Sequence, residues 1–228
     1  MRVAVVTGAN RGVGYGIARA LSNEDYTVIG LNKTFCNEEW LTEIQCDLRN
    51  RIEINNVIDE VIKRFGRIDL VVNNAAIRRY GNIDEISELD WEESIETNLS
   101  GPLWLTQKTR SILADSKGFL VFIGSHAGEH FFASGVAYSC SKAALRALAE
   151  TAIQEMRYDE IRVCCLSLGA IANRKMPNDD WKISPDDIGQ LIVSLSKLPS
   201  RVMPAYIDMR PSMPLRSPVT GIQSLQYI

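Results

Sequence analysis

The chain has 228 residues, of which 46% are hydrophobic and 23% charged, an ordinary balance for one soluble α/β domain with a sizeable core. A net charge of −3 and a pI of about 5.5 argue against the basic footprint of a nucleic-acid binder. No run of about 18 apolar residues is present, which excludes a hydrophobic membrane-spanning helix.

In chain order, the apolar run Val3-Ala4-Val5-Val6 reads as a buried strand over residues 3–7. Met1-Arg2 leads straight into it, a layout that predicts no signal peptide. The turn Thr7-Gly8-Ala9-Asn10-Arg11-Gly12-Val13-Gly14 follows, and the amphipathic run Ile17-Ala18-Arg19-Ala20-Leu21 reads as a helix over 14–21. Strand, glycine-rich turn and helix together place a phosphate on a helix N-terminus. Glycine belongs there because backbone N–H groups must approach a pyrophosphate with no Cβ in the way.

Further strands are expected over residues 27–31, 44–47, 68–73, 119–124, 161–167 and 205–208. Helices are expected over 55–65, 91–114, 137–156 and 185–198. Seven apolar strands alternating with helices predict a doubly wound parallel sheet with helices on both faces, in a single domain of residues 1–210. Residues 211–228, rich in Pro and Ser, read as an irregular C-terminal tail. Its apolar Ile222, Leu225, Tyr227 and Ile228 are expected either to dock on the site's rim or on a neighbouring subunit, or to belong to a frayed terminus, with docking the favoured reading. The five cysteines, Cys36, Cys46, Cys140, Cys164 and Cys165, lack Cys-x-x-Cys spacing, which points to reduced thiols and a cytoplasmic location. Cys164 and Cys165 are consecutive in a strand and should face opposite sides of the sheet.

The second informative cluster is Tyr138-Ser139-Cys140-Ser141-Lys142, early in the helix over 137–156. Positions i and i+4 share a helix face, so Tyr138 and Lys142 project together. A fixed ammonium favours phenolate and draws a phenol down from its usual pKa of about 10 toward a useful acid–base value. Alone, Tyr-x-x-x-Lys is common on ordinary helices. Here it accompanies Ser125 at the end of the strand Gly118-Phe119-Leu120-Val121-Phe122-Ile123-Gly124, Asn73-Asn74-Ala75-Ala76 at the end of the preceding strand, and Asn98 in the helix between. The carboxyl ends of such strands are where doubly wound sheets bind ligands.

With these residues in this order and spacing, the chain resembles the short-chain dehydrogenase/reductase family in its single-domain, Rossmann-fold form, over residues 1 to about 170. The resemblance implies that Tyr138 exchanges a proton with the substrate oxygen and that Ser125 hydrogen-bonds that oxygen. Lys142 would bind the nicotinamide ribose and lower the Tyr138 pKa, and Asn98 would hold a water that relays protons toward Lys142. For Asn98, a local backbone bond that bends the helix is the plainer reading. Gly8, Gly12 and Gly14 would cradle the diphosphate together with Asn10, Arg11 and Val13. Asn32, Lys33, Asp47, Leu48, Asn74, Ala75 and Ala76 would line the adenosine and ribose path, and Gly169 and Ile171 would complete the cofactor site.

Cofactor choice follows from charge. An acid at the end of the second strand would hydrogen-bond the ribose of NAD, and here that place holds neutral Asn32, followed by Lys33. Arg11 lies inside the glycine turn, where related NADP-dependent enzymes often carry a basic residue. Arg11 and Lys33 are therefore expected to pair with a 2′-phosphate, which favours NADP(H) over NAD(H) and a reductive direction. The family's usual Pro-Gly after the sixth strand, with a Thr four residues after the Gly, is replaced by Leu168-Gly169 and Asn173. Residues 174–183 form an unusually short lid before the helix start Ser184-Pro185-Asp186-Asp187. His126, His130 and Phe131, with Ser125 and Tyr138, are expected to line the substrate site. Gly128 and the loop context argue against a histidine metal pair.

The reading is an NADPH-dependent reductase of a ketone or 3-oxo thioester, acting on a small molecule, with no nucleic acid, membrane or metal. Three alternatives stay open: a non-catalytic NADP(H)-binding sensor, a reductase of a pterin, sugar or biosynthetic intermediate, and a dehydratase or isomerase using the same Tyr and Lys. The resemblance also implies a homodimer or homotetramer built on the helices over 91–114 and 137–156.

Overall fold

The computed structural model describes residues 1–173 and 179–213. Seven strands form one all-parallel sheet: β1 (Arg2–Thr7), β2 (Tyr26–Asn32), β3 (Thr42–Gln45), β4 (Leu70–Asn73), β5 (Phe119–Ile123), β6 (Arg162–Leu168) and β7 (Tyr206–Met209). Their spatial order is β3-β2-β1-β4-β5-β6-β7, so the winding reverses between β1 and β4. That reversal opens a crevice at the carboxyl edge of the sheet. Among the described residues six α-helices accompany the strands: α1 (Gly12–Ser22), α2 (Arg51–Phe65), α3 (Glu88–Ile95), α4 (Gly101–Ser116), α5 (Val136–Met156) and α6 (Pro185–Ser196).

The strands are apolar throughout because both faces are covered. Val3 and Val5 of β1 point to one side, with Ile54 and Ile58 of α2, Leu105 and Leu113 of α4, and Leu145 and Ile153 of α5. Ala4 and Val6 point to the other, with Ile17 and Leu21 of α1 and Ile188 and Ile192 of α6. The period-two alternation of a strand thus feeds two separate cores. Cys165 lies in the first core and Cys164 in the second, as consecutive strand residues must. Burial pushes the Cys164 thiol up to about 12 and that of Cys165 to about 11, which leaves both uncharged packing groups.

Local signals set the helix ends. Asn50 caps α2 by accepting from the N–H groups of Ile52 and Glu53, and Gly66 closes it in the left-handed region at φ 70°. Ser184 and Asp187 form a reciprocal capping box on α6, with Pro185 in the first turn. The helix expected over 91–114 starts earlier, at Glu88 under a Ser87 cap, and is broken by a π turn at Glu96–Ser100. The third strand lies two residues ahead of its expected place, which leaves Asp47 on the loop beyond it. The expected lid falls partly, and the expected docking residues of the tail wholly, outside the described residues. Among the described residues no helix is long and apolar enough to cross a membrane.

The tightest helix contact joins α1 to α6. A Cβ on Gly189 would stand 2.4 Å from the Gly16 carbonyl oxygen, and one on Gly16 would stand 2.3 Å from the Pro185 carbonyl oxygen. Alanine gains about 1 kcal/mol over glycine inside a helix, but overpacking against backbone costs about 1–3 kcal/mol. These terms net to about 0–2 kcal/mol, and because the clash at 2.4 Å is with backbone, Gly189→Ala is expected at the destabilising end, about 2 kcal/mol, in denaturant unfolding. An unchanged unfolding midpoint would contradict this close packing.

Candidate active site

The glycine turn connects β1 to α1 and is bolted to the loop after β4. The Thr7 hydroxyl accepts from the N–H groups of Asn74 and Ala75, both at 2.9 Å. The Asn74 carboxamide donates back to the Thr7 carbonyl at 2.8 Å. Gly8 and Gly12 have φ of 66° and 55°, a region that disfavours a side chain. A Cβ on Gly14 would lie 2.1 Å from the Gly8 carbonyl oxygen, so the helix starts flush against the turn.

Helix α1 starts without a side-chain cap, as α4 and α5 also do, but α1 alone of the three opens directly on the glycine turn. The side chains of Asn50, Ser87 and Ser184 cap α2, α3 and α6, but that of Arg11 makes no cap bond on α1, whose first turn carries no acid. Its leading N–H groups are left to an external partner, in the positive end of the helix dipole. This is the fit that a diphosphate requires. The cleft around it is lined by Gly8, Asn10, Arg11, Gly12, Val13, Gly14, Lys33, Thr34, Asp47, Leu48, Asn74, Ala75, Ala76 and Asn173. Asn10 donates to the Thr34 hydroxyl at 2.9 Å, which ties the turn to the segment after β2.

Asn32 is a correction. It is buried and turns away from this cleft, donating to Glu43 at 2.7 Å. The last residue of β2 points into the sheet-side packing, and its successors Lys33 and Thr34 face the cleft instead. Lys33 is bound to Asp47 at 2.9 Å. Hydrogen bonds from Arg49, reinforced by Lys33, hold the Asp47 carboxyl well below the usual carboxylate range.

The second half of the cleft has a volume of about 270 Å³. Asn74 lines both halves. Ser125 follows β5, and its hydroxyl accepts from the Ala127 N–H at 3.2 Å, starting a short 3-10 turn at His126–Gly128. Tyr138 and Lys142 come one turn apart on α5 and are buried, with 6% and 3% exposure. The Lys142 ammonium donates to the Ile123 carbonyl at 2.8 Å. Burial opposes ionisation of the Tyr138 phenol, but the charges of Lys142 and then Arg78, with hydrogen bonding from Ser125 and Arg78, bring its pKa below the ordinary tyrosine value. Burial likewise draws the Lys142 pKa down.

Asn98 sits in the π turn, fully buried, and lines neither half of the cleft. Its carboxamide accepts from the Ile77 N–H at 2.8 Å and donates to the Ile77 carbonyl at 2.9 Å and the Ser141 hydroxyl at 3.0 Å. Both of its hydrogens are used within the protein. The side chain is a clamp between the loop after β4 and α5, and its hydrogen bonds reach outside its own helix. The π turn is the sort of local rewinding that re-aims one side chain out of a helix ladder.

On the substrate side, Gly169, Ile171, His126 and His130 line the cleft with Ser125 and Tyr138. Phe131 does not: it is 71% exposed, and Phe132 takes the inward place. Two consecutive phenylalanines in a loop give no period from which to choose between them. The two histidine rings stand edge to face at 5.9 Å; His126 pairs with Asp208, and His130 meets Arg210. Arg78 and Tyr80 were not foreseen. The Arg78 guanidinium lies 5.6 Å from the Tyr138 ring centre, and the Tyr80 ring 6.3 Å from it. Their position four and six residues after Asn74 was the available signal. Asn173, which stands where the family has Thr, lies against Gly12.

Known proteins match along nearly the whole chain. A family model described as short chain dehydrogenase matches residues 2–182. An uncharacterized oxidoreductase of Staphylococcus saprophyticus is 27% identical over 230 residues, covering 92% of this chain and 97% of its own. One from Staphylococcus aureus strain MW2 is 29% identical over 224 residues, with the same coverage. Among solved structures, an alcohol dehydrogenase from the archaeon Thermococcus sibiricus, complexed with 5-hydroxy-NADP, superposes with a TM-score of 0.87 at 27% identity, covering 95% of this chain and 99% of that one. A metagenomic short-chain oxidoreductase in complex with NADP gives 0.84 at 28% identity, covering 93% and 98%. The strand order, the uncapped helix beside the glycine turn, the buried Tyr138–Lys142 pair and the match over residues 2–182 lead to one assignment: this chain belongs to the short chain dehydrogenase family and is an oxidoreductase of that kind.

Proposed function

We propose that the protein is an NADPH-dependent carbonyl reductase that converts a ketone or 3-oxo thioester to a secondary alcohol. The observation that carries this reading is the buried Tyr138–Lys142 pair beside Ser125 in a cleft that shares Asn74 with the dinucleotide half. When bound, the nicotinamide supplies the hydride. The chain supplies everything else. Ser125 donates a hydrogen bond to the substrate oxygen and holds the carbonyl in place. Tyr138 gives its phenolic proton to that oxygen as negative charge builds there. Lys142, fixed on the Ile123 carbonyl, stabilises the phenolate left behind. Asn98 keeps the loop that carries Arg78 in register with α5.

Preference for the phosphorylated cofactor rests on Arg11. Among the described residues Arg11 has no carboxylate partner, and it borders the cleft beside Lys33 and Thr34. Lys33 is shared with Asp47, so Arg11 is the principal partner for a 2′-phosphate.

Two outcomes follow. Tyr138→Phe keeps the ring and removes the acid, so turnover of NADPH with a ketone panel should fall by a factor of roughly 10² or more, with folding and NADPH binding retained. Near-normal turnover would sink the mechanism, because the phenol would then not be the acid. Arg11→Ala removes a charge-assisted contact of about 1.5–3 kcal/mol. Dissociation constants should show NADPH weakened at least about tenfold more than NADH; equal losses would mean that Arg11 does not meet the phosphate.

A further inference from the structure

Arg78 and Arg79 are adjacent in sequence and opposite in employment. Arg79 is committed to carboxylates, Asp90 at 3.0 Å and Glu93 at 2.8 Å. Among the described residues Arg78 pairs with no carboxylate and instead turns its guanidinium over the Tyr138 ring, at the wall of the substrate half. The described residues lining that half include two cations, Arg78 and Lys142, two histidines, and no Asp or Glu. Asp208, which meets the lining His126, is shared with Arg210, and Glu129, next to His130 in sequence, is held by Arg146, Ser167 and Tyr206. Lys142 is already fixed on the Ile123 carbonyl. One guanidinium, hydrogen-bonded to the Tyr138 and Tyr80 side chains but paired with no acid among the described residues, therefore faces the cleft beside the group that handles the reacting oxygen.

A planar guanidinium next to a proton donor matches a molecule with two oxygen functions close together. We infer that the substrate is a short-chain oxo acid whose carboxylate is held by Arg78 while its ketone oxygen lies between Ser125 and Tyr138. Tyr80 and Phe132, both lining the same wall and 6.1 Å apart, give the remaining chain an apolar surface. This rests on the reductase reading and narrows it to the ketone branch; Arg78 is a specificity-determining residue in it.

The test compares acetoacetate and 2-oxobutanoate, each beside its methyl ester, as substrates with NADPH for the native protein, Arg78→Gln and Arg78→Lys. Because Arg78 is exposed at the rim, both variants are expected to fold normally, which thermal unfolding checks. The native protein should prefer at least one acid over its ester by tenfold or more in kcat/KM. Arg78→Gln should erase that preference mainly through KM, and Arg78→Lys should restore part of it. Equal treatment of acid and ester by the native protein, or equal losses for both in Arg78→Gln, would overturn the inference; the second result would make Arg78 a modulator of Tyr138 only. Calorimetry of acetoacetate on the NADP⁺-loaded protein, where no reduction can occur, separates the two readings. If no ketone is reduced but acetoacetate binds the native protein and not Arg78→Gln, anion recognition stands and the reductase reading fails. Absence of binding, or binding unchanged in Arg78→Gln, overturns the inference.

Discussion

The burial of the Lys142 ammonium is the constraint on which the rest of the cleft depends. A charge with 3% exposure is costly unless it is paired or hydrogen-bonded. Lys142 has no carboxylate partner among the described residues; it has the Ile123 carbonyl at 2.8 Å and the Tyr138 ring 6.0 Å away. The charge is therefore best satisfied when the phenol beside it carries a negative charge, and the same field makes that charge easier to form. The bond to Ile123 also fixes α5 against the end of β5, where Ser125 follows. Gly128 lets the turn after Ser125 press onto the Lys142 backbone, since a Cβ there would stand 2.8 Å from the Lys142 carbonyl carbon. Packing and acid–base chemistry thus come from one contact.

The other half of the cleft rests on an omission. Helix α1 is left without a side-chain cap, so its N–H groups stay available at the switch point of the sheet. Thr7 and Asn74 hold the glycine turn and the loop after β4 together, and Asn74 touches both halves. Asn98 extends this cross-bracing from Ile77 to Ser141. These braces join buried or half-buried side chains to backbone, and in one case to the Ser141 hydroxyl, which makes the geometry rigid where a ligand must be aligned.

Much of this was legible in the sequence because it is local. Apolar runs give strands, the glycine turn has one geometry, and Tyr138 and Lys142 share a face by helix periodicity alone. What the sequence hid depends on orientation beyond the chain neighbours. Asn32 ends a strand, and whether its amide faces cleft or sheet is decided by Glu43 on the next strand. Asn98 was placed correctly in a helix, but the π turn that redirects it leaves no composition signal. Arg78 and Arg79 are indistinguishable as letters and are separated only by the acids of α3 that capture Arg79. Phe131 and Phe132 exchange places for the same reason, since a loop has no period to break the tie.

The central claim is that Lys142 and its surroundings hold the Tyr138 phenol in a more acidic state than an ordinary tyrosine. The direct measurement is a pH titration of that phenol in the cofactor-free protein, read as the ultraviolet or carbon-13 tyrosine signal present in the native protein and absent in Tyr138→Phe. The account predicts a phenol that ionises below the usual value of about 10 and moves upward in Lys142→Met. A Tyr138 that ionises at or above the ordinary value in the native protein, unmoved by loss of Lys142, would contradict it.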